Sequence, residues 1–529
     1  MSDFGVLSLL PPLLAIGLAL WTKKPVISLF VAIWVAGTMA HGWNPIAGAA
    51  QTGQWLADNF ADGIYIAVTI LFIGAAEAIM YKSGGINAFV EKIKRGLRTS
   101  RIASVVASLL GIVIFVDDYI NSVVVGTTMR PITDRVRVSR EMLAYICDST
   151  AAPVSGLLIA STWIGYEVGL IDEAFQSLEI EHSAYGAWVS SIPYAFYPIL
   201  AIILVLVISY THRHYDPMVK AEHRARTTGK VMRDGAKPMV TTEVDLGQPK
   251  SKGNMWVFIV PIIVLIATTL LGLWYTGGGS ETYAEGGFSE ILANCDSSLA
   301  LVWGSLASIL AAAIMVLALR QMDLGEIETS IIQGFKQMQT AIIIAMLAWS
   351  VGAACDAVGT ADYVVGLATS AGVSAAIVPL IIFLAAMFIS FTTGTSWGTF
   401  AIMMPIAVPL AYHLSGGVGP EVFASIAAVF GGGIFGDHCS PVSDTTVLSS
   451  SFSSCDHIDH VSTQIPYAVT AAGVGVILYL VFLAGLRNGF ALLGLGIVLL
   501  IVFHYILSEW YGKRVGIPHG KVPVYRAEE

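Results

Sequence analysis

From Gly5 to Leu507 the sequence runs repeatedly through stretches of about 20 mostly apolar residues, the length that carries an α-helix across bilayer hydrocarbon. One long polar interruption, Thr211 to Asn254, divides the series. So many spans cannot be hidden in a water-soluble core, and only 12% of the 529 residues are charged, against roughly 25% in an ordinary soluble domain. The pattern predicts an all-α polytopic membrane protein, because helices pair their own backbone polar groups where no water is present.

Several function classes fall away. Cys147, Cys295, Cys355, Cys439 and Cys455 show no paired or Cys-x-x-Cys spacing, which argues against a disulfide framework and a zinc site. No Gly-x-x-x-x-Gly-Lys-Ser/Thr phosphate loop occurs, so the chain has no engine for ATP-driven transport. No catalytic residue, resident cofactor or nucleic-acid partner is expected.

The net charge of −9 says little; the positions of the 28 Lys and Arg say more. They cluster at Lys23 and Lys24, Lys82 to Arg101, Arg130 to Arg140, Arg213 to Lys252, Arg320 with Lys336, Arg487, and Lys513 to Arg526. Basic loop residues resist transfer across an energised membrane. Placing every cluster except Arg487 in the cytoplasm predicts eleven spans, at 5–22, 25–41, 63–81, 142–165, 187–210, 255–276, 298–319, 338–358, 421–455, 465–484 and 490–507. Two re-entrant hairpins complete the path: 102–129, entered from the cytoplasm, and 375–412, entered from outside. The expected protein is multi-pass in the cell (inner) membrane, in contact with lipid, with its N-terminus outside and its C-terminus cytoplasmic. Lys23, the first basic residue, follows the first apolar run, so no cleavable signal is expected. Segment 42–62 and the acidic stretches containing Glu167 to Glu181 and Glu281 to Asp296 read as outer loops, and 211–254 as a mobile basic cytoplasmic loop.

Two stretches, 63–210 and 338–484, match in type and order. Each has a span ending in a glycine turn (Gly84; Gly359), a hairpin whose second arm carries Met129-Arg130-Pro131 or Met403-Met404-Pro405, a polar break, and Ile-Pro-Tyr-Ala at Ile192 or Ile465. The turns, arm prolines and Ile-Pro-Tyr-Ala motifs keep nearly constant offsets; the break prolines Pro153 and Pro441 do not. Because the first span runs in opposite directions in the two copies, they read as inverted repeats, an arrangement that places transport sites near the midplane on discontinuous helices. The expected units are scaffold spans 1–62, repeat one 63–210, the basic loop 211–254, scaffold spans 255–337, repeat two 338–484, and an extra span with tail, 485–529.

Five carboxylates fall at the hairpins and breaks: Asp117, Asp118, Asp148, Asp437 and Asp444. A carboxylate at a helix centre costs about 2.5–3.5 kcal/mol on insertion scales, so such groups line pathways or have partners. Apart from Arg130, no Lys or Arg lies in these hairpin arms or broken spans, which leaves a cation or a proton as the partner. Na+ prefers oxygen ligands, supplied by Asp148, Ser149 and Thr150, by Asp437, Ser440, Ser443, Asp444 and Thr445, and by Thr393, Thr395 and Ser396, with Asn121 at the first tip. Na+ itself is placed at Asp148, Asp437, Ser440 and Asp444. Plainer roles stand beside these: one of Asp117 and Asp118 as a helix cap, Ser149, Thr150, Thr445 and Thr446 bonding back to nearby carbonyls, Asn121 as a tip stabiliser, Cys147 and Cys439 as core residues, and His438 as a lone core histidine in preference to a proton-handling group. Glu77 and Asp356 read as interfacial, and His457 and His460 as part of a solvated loop.

At these residues the sequence resembles the NhaC-type Na+/H+ antiporter family of the ion transporter superfamily. The resemblance rests on Gly436-Asp437-His438-Cys439-Ser440-Pro441-Val442-Ser443-Asp444-Thr445-Thr446, on Thr393-Gly394-Thr395-Ser396-Trp397-Gly398-Thr399, and on Asp117-Asp118-Tyr119-x-Asn121 with Met129-Arg130-Pro131. It implies a secondary transporter with paired hairpins, an elevator-like core moving against a scaffold, and a homodimer. It does not imply one substrate, since relatives are associated with Na+/H+ exchange, malate/lactate exchange and amino-acid uptake. The leading expectation is Na+/H+ antiport, with Na+ as transported or coupling ion and H+ as its competitor. The alternative is a Na+- or H+-coupled carrier of a small organic solute held between the hairpin tips. A channel suits two closed hairpins less well.

Overall fold

The computed structural model describes residues 4–22, 24–93, 97–158, 161–238, 249–250, 252–441, 443–518, 522 and 524–526. Among them the regular elements are helices. Nine are long and apolar enough to cross a bilayer, or eleven if each of two bent pairs counts as one span. Large apolar side chains such as Leu271, Ile314, Val498 and Ile506 are exposed on the outer helices. Apolar faces of that extent are what a lipid-embedded bundle presents. The protein is a multi-pass membrane protein.

The first hairpin consists of Ser100–Val113 and Asp118–Arg135, and the second of Val378–Thr393 and Ser396–Ser415. Each has a tip built for a reversal. At the first, Asp117 is extended and its carboxylate accepts the amides of Tyr119 and Ile120, at 2.9 and 3.2 Å. At the second, Gly394 takes φ 72°, which suits glycine, and Thr395 accepts the amide of Gly398 at 3.3 Å. The helix Arg140–Thr150 stops at Ala151, and Pro153 sits in the short turn Ala152–Ser155 that follows. Pro420–Cys439 stops before Ser440, and the chain resumes as Asp444–Ser453 with Ser443 as its cap. Proline cannot donate to the helix it interrupts, which explains breaks at these two places.

Glycines let the second hairpin and the second broken helix approach backbone to backbone. A Cβ on Gly436 would lie 2.3 Å from the Phe391 nitrogen, and one on Gly432 would lie 2.6 Å from the Phe383 carbonyl oxygen. Ser390 donates to the Gly433 carbonyl at 2.6 Å across the same contact. Aromatic rings hold the second tip to the helix after the first break: Tyr166 stacks on Trp397 at 4.2 Å and its hydroxyl donates to the Trp397 carbonyl at 2.9 Å.

The structure corrects several boundaries. Segment 42–62, expected as a loop, is the helix Pro45–Asp62, started by Asn44, which accepts the amides of Ile46 and Ala47. It turns back by 120° from the preceding helix. The span expected at 142–165 is interrupted, and Glu167, Asp172 and Glu173 lie in the helix Thr162–Ser177 instead of an acidic loop. Glu167 is buried and accepts the Trp188 indole N–H at 2.7 Å. The stretch with Glu281 is the kinked helix Gly279–Asn294. Both arms of the second hairpin count among the nine long apolar helices, because hydropathy does not distinguish a re-entrant arm from a span.

The polar connector is also more ordered than its composition implies. Its helix Met218–Thr228 buries Glu222 and Arg226 as an ion pair. Glu222 also accepts the Ser139 amide at 2.7 Å, and Arg224 pairs with Glu141 at 2.9 Å. Farther on, Arg233 pairs with Asp456 and Asp459 at 3.1 and 2.7 Å. The connector thus joins the start of the first broken helix to the start of His457–Leu483. Residues 239–248 lie outside the described residues.

Replacing Gly436 by Ala should lower the unfolding temperature in detergent, because the clash is with backbone; overpacking of this kind costs about 1–3 kcal/mol. Unchanged stability would mean that the helices do not meet as closely as stated. At Glu222, burial pushes the carboxyl up, but Arg226, His214 and the Ser139 amide outweigh it and hold it below the usual range. Its stabilisation is therefore complete above the ordinary glutamate value of about 4.3 and is lost as pH falls through the depressed folded value. Amide protection factors in Met218–Thr228, corrected for the intrinsic pH dependence of exchange, should fall on acidification in the native chain and be low at all pH in Glu222→Gln.

Candidate functional site

An open cavity of about 590 Å³ lies between the tips of the two hairpins. Asp117 and Asp118 come from the first tip, Thr395, Ser396 and Trp397 from the second, and Thr445 from the second broken helix. Thr162 and a wall formed by Gln337, Met338, Thr340 and Ile344 complete it, with no Lys or Arg in the lining among the described residues.

The two tip aspartates have different surroundings. Besides capping its helix, Asp117 accepts the Thr162 hydroxyl at 3.0 Å, so the residue does both the structural and the cavity-lining job. Asp118 accepts the Trp163 indole N–H at 3.0 Å. Asn121 ties the tip together: its amide nitrogen donates to the carbonyls of Gly111, Ile114 and Thr150, at 2.6, 2.8 and 2.9 Å. The last of these bonds joins the hairpin to the first break.

Asp437 stands directly behind the cavity. It is fully buried and accepts the hydroxyls of Ser443 at 2.6 Å and Thr445 at 2.9 Å. Because Thr445 also lines the cavity, this hydroxyl connects Asp437 to the open space. Ser443 additionally caps the helix that follows, accepting the Thr446 amide at 3.2 Å. Asp444 is the first residue of that helix, and its side chain lies outside the described residues, as does Val442.

Asp148 occupies a separate, enclosed cluster that joins the two broken helices. It is fully buried, and its carboxylate accepts the hydroxyls of Thr446 at 3.2 Å and Ser449 at 3.3 Å, together with the amide of Gln464. His460 Nε2 lies 3.4 Å from the same carboxylate. His438 donates from Nε2 to the Asp148 carbonyl at 3.1 Å, and in its neutral form accepts the Tyr197 hydroxyl at Nδ1, 2.9 Å away. Instead of a solitary core histidine, His438 is a spacer in this cluster.

Other expected ligands are not brought to these oxygens. Thr150 donates back to the Ile146 carbonyl at 2.8 Å and Thr393 to that of Ile389 at 2.8 Å. Ser149 is buried beside Tyr145. Conversely, His460, Gln464, Thr446 and Ser449 belong to the Asp148 cluster without having been expected there. His460 is not in a loop: Asp456 caps His457–Leu483, and the i, i+4 spacing of His460 and Gln464 sets both on one face of that helix. Glu77, read as interfacial from its place near the span end, is buried within Ile64–Lys82.

One further cluster, His212, His214 and Glu222 in the connector, brings possible metal ligand atoms within 4.8 Å of one another. Arg226 donates to both Glu222 and the Nδ1 of His212, which puts a fixed positive charge where a metal ion would sit.

Comparison with known proteins agrees with this architecture. Residues 156–483 match the family model described as Na+/H+ antiporter family. A protein from Haemophilus influenzae described as uncharacterized is 35% identical over 94% of this chain and 96% of its own length. A Bacillus subtilis protein named malate-2H(+)/Na(+)-lactate antiporter is 36% identical over 19% of this chain and 21% of its own. Among solved structures, the Alcanivorax borkumensis YdaH transporter superposes with a TM-score of 0.50 at 15% identity, covering 96% of this chain and 99% of the other. Neisseria gonorrhoeae MtrF gives a TM-score of 0.52 at 16% identity, over 83% and 84%. These two share the fold. With its family match extending over the second hairpin and both ends of the second broken helix, the chain belongs to the Na+/H+ antiporter family.

Proposed function

We propose that the protein exchanges Na+ for H+ by alternating access, using carboxylates at the hairpin tips and the second break. The observation that carries this reading is the Asp437–Thr445 pair, a fully buried carboxylate linked at 2.9 Å to a hydroxyl that lines the cavity opposite Asp117 and Asp118. Carboxylate and hydroxyl oxygens suit a hard monovalent cation. When such a carboxylate is protonated it loses the charge that holds Na+, so the two ions exclude one another and exchange needs no further machinery.

Asp148 has a different task in this scheme. It lies outside the cavity lining and joins the first broken helix to the second through Thr446, Ser449 and Gln464. Neutralising it removes the charge those donors share, and so loosens the two broken helices from each other. The basic connector is assigned to the cytoplasmic side by its charge, and a homodimer is the expected assembly. A second reading, Na+-coupled movement of an organic solute, is favoured by the size of the cavity, which exceeds what one ion requires.

In proteoliposomes holding a pH dye, an imposed Na+ gradient should drive proton flux with no organic solute present. Asp437→Asn should reduce that flux at least tenfold. Thr445→Val should raise the Na+ concentration for half-maximal flux by roughly tenfold while largely sparing the maximal rate, since it removes one ligand oxygen and no charge. Proton movement that appears only after malate or an amino acid is added would replace exchange with the carrier reading. Full flux in Asp437→Asn would remove the site assignment.

A further inference from the structure

The two arms of the first hairpin begin and end on the side that the basic residues assign to the cytoplasm. A stretch that follows the last span is bound there. Ser100 opens the arm Ser100–Val113, and its amide is one of those that a helix start leaves without an intrahelical partner. Thr99 caps the arm by accepting the Ile102 amide at 3.2 Å, which leaves the Ser100 amide to be met from elsewhere. It donates to the Tyr525 carbonyl at 3.0 Å, and the Tyr525 amide donates back to the Ser100 hydroxyl at 3.1 Å. Thr99 and Arg526 form an antiparallel bridge beside these bonds, and Ser100 is fully buried.

The same tyrosine reaches the other arm. Arg137, just beyond Asp118–Arg135, lies over the Tyr525 ring, 4.3 Å from its centroid. Arg137 is itself tied to the connector: it donates to the Arg226 carbonyl at 3.3 Å, and its own carbonyl accepts from Arg226 Nε at 2.9 Å. Tyr525 thus adds a second tie between the arms to the bond at 3.2 Å from Arg135 to the Leu97 carbonyl.

These contacts are of a reversible kind. They comprise two hydrogen bonds and one cation–π contact, with Val522 buried and Val524 and Arg526 exposed. Each is weak at a protein surface. Tyr525 follows Arg514, the last residue of Gly489–Arg514, by 11 positions. So short a tether holds the stretch beside its notch at roughly millimolar effective concentration, enough to keep a weak contact formed. The helix it leaves packs on Phe196–Thr211 and His457–Leu483, so the stretch links those helices to the hairpin entrance.

We propose that Val522 and residues 524–526 form a strap across the cytoplasmic entrance of the first hairpin, and that its release opens the cavity to the cytoplasm. The far ends of the two arms carry Asp117 and Asp118 into the cavity. While the strap joins the near ends, the arms stay together and the tip stays in place. With the strap off, the arms part more often and the cavity is reached from that side. The inference goes beyond the exchange reading and holds whichever solute the cavity takes.

The test follows access to a reporter, Thr340→Cys, on the exposed cavity wall. In inside-out vesicles the cysteine is labelled with a membrane-impermeant methanethiosulfonate, and the chain without the reporter sets the background; Cys147, Cys355, Cys439 and Cys455 are buried. Tyr525→Ala should raise the labelling rate roughly three- to fivefold, the scale of one surface cation–π contact. Tyr525→Phe keeps the ring and both backbone bonds and should label at the native rate. A peptide of residues 519–529, supplied at roughly millimolar concentration, should return Tyr525→Ala to the native rate, whereas the same peptide carrying Tyr525→Ala should not. A native labelling rate in Tyr525→Ala, a rise shared by Tyr525→Phe, or a rise that the peptide fails to reverse would overturn the strap. Labelling needs no ion gradient, so absent Na+-driven proton flux removes exchange alone, and an unchanged labelling rate removes the strap alone.

Discussion

Buried negative charge held by hydroxyls, amides and helix starts is the constraint on which the rest of the structure depends. Asp437 is fully enclosed by the protein and bonded to Ser443 and Thr445; Asp148 is fully enclosed and bonded to Thr446, Ser449 and Gln464. Among the described residues, no Lys or Arg forms an ion pair with Asp148. A permanent salt bridge would neutralise such a carboxylate and remove its reason to take up another cation. Neutral donors lower the cost of burial while leaving the negative charge in place.

The backbone geometry follows from that requirement. Donors and acceptors at membrane depth become available only where a helix stops, and the chain stops its helices at Val113, Thr150, Thr393 and Cys439. Each stop faces another: Asn121 bonds the first tip to the first break, Tyr166 and Trp397 bind the second tip to the helix beyond that break, and Asp148 joins the breaks of the two halves. The glycines at 432, 433 and 436 allow the second hairpin to reach this centre. The connector adds a polar clamp at the ends of the same helices, with Arg224 on Glu141 and Arg233 on Asp456.

Much of this is legible in the sequence alone. Asp117, Asp118, Asp148 and Asp437 stood out as charges within apolar runs, and Gly394 to Ser396 as a tip, because a charge or a glycine inside a membrane span needs a reason. What was hidden depended on packing between distant segments. His460 and Gln464 belong to a polar helix start that reads as a loop until Asp456 is seen to cap it. Glu77 reads as interfacial because it lies near the end of its span, whereas packing of neighbouring helices against Ile64–Lys82 buries it. The connector reads as solvated because its charges are counted singly, while Glu222 and Arg226 neutralise each other in a buried pair. Thr150 and Thr393 read as ion ligands, whereas in the structure each hydroxyl donates to a carbonyl of the preceding turn.

The central claim is that Na+ and H+ compete for the same buried carboxylates. The most direct test is equilibrium binding of radioactive Na+ to the purified protein across a pH series, with simultaneous measurement of protons released into weakly buffered solution. Competition predicts that each Na+ bound displaces protons and that apparent affinity falls up to tenfold for each pH unit of acidification below the carboxylate's titration. Na+ binding that is independent of pH and releases no protons would contradict it.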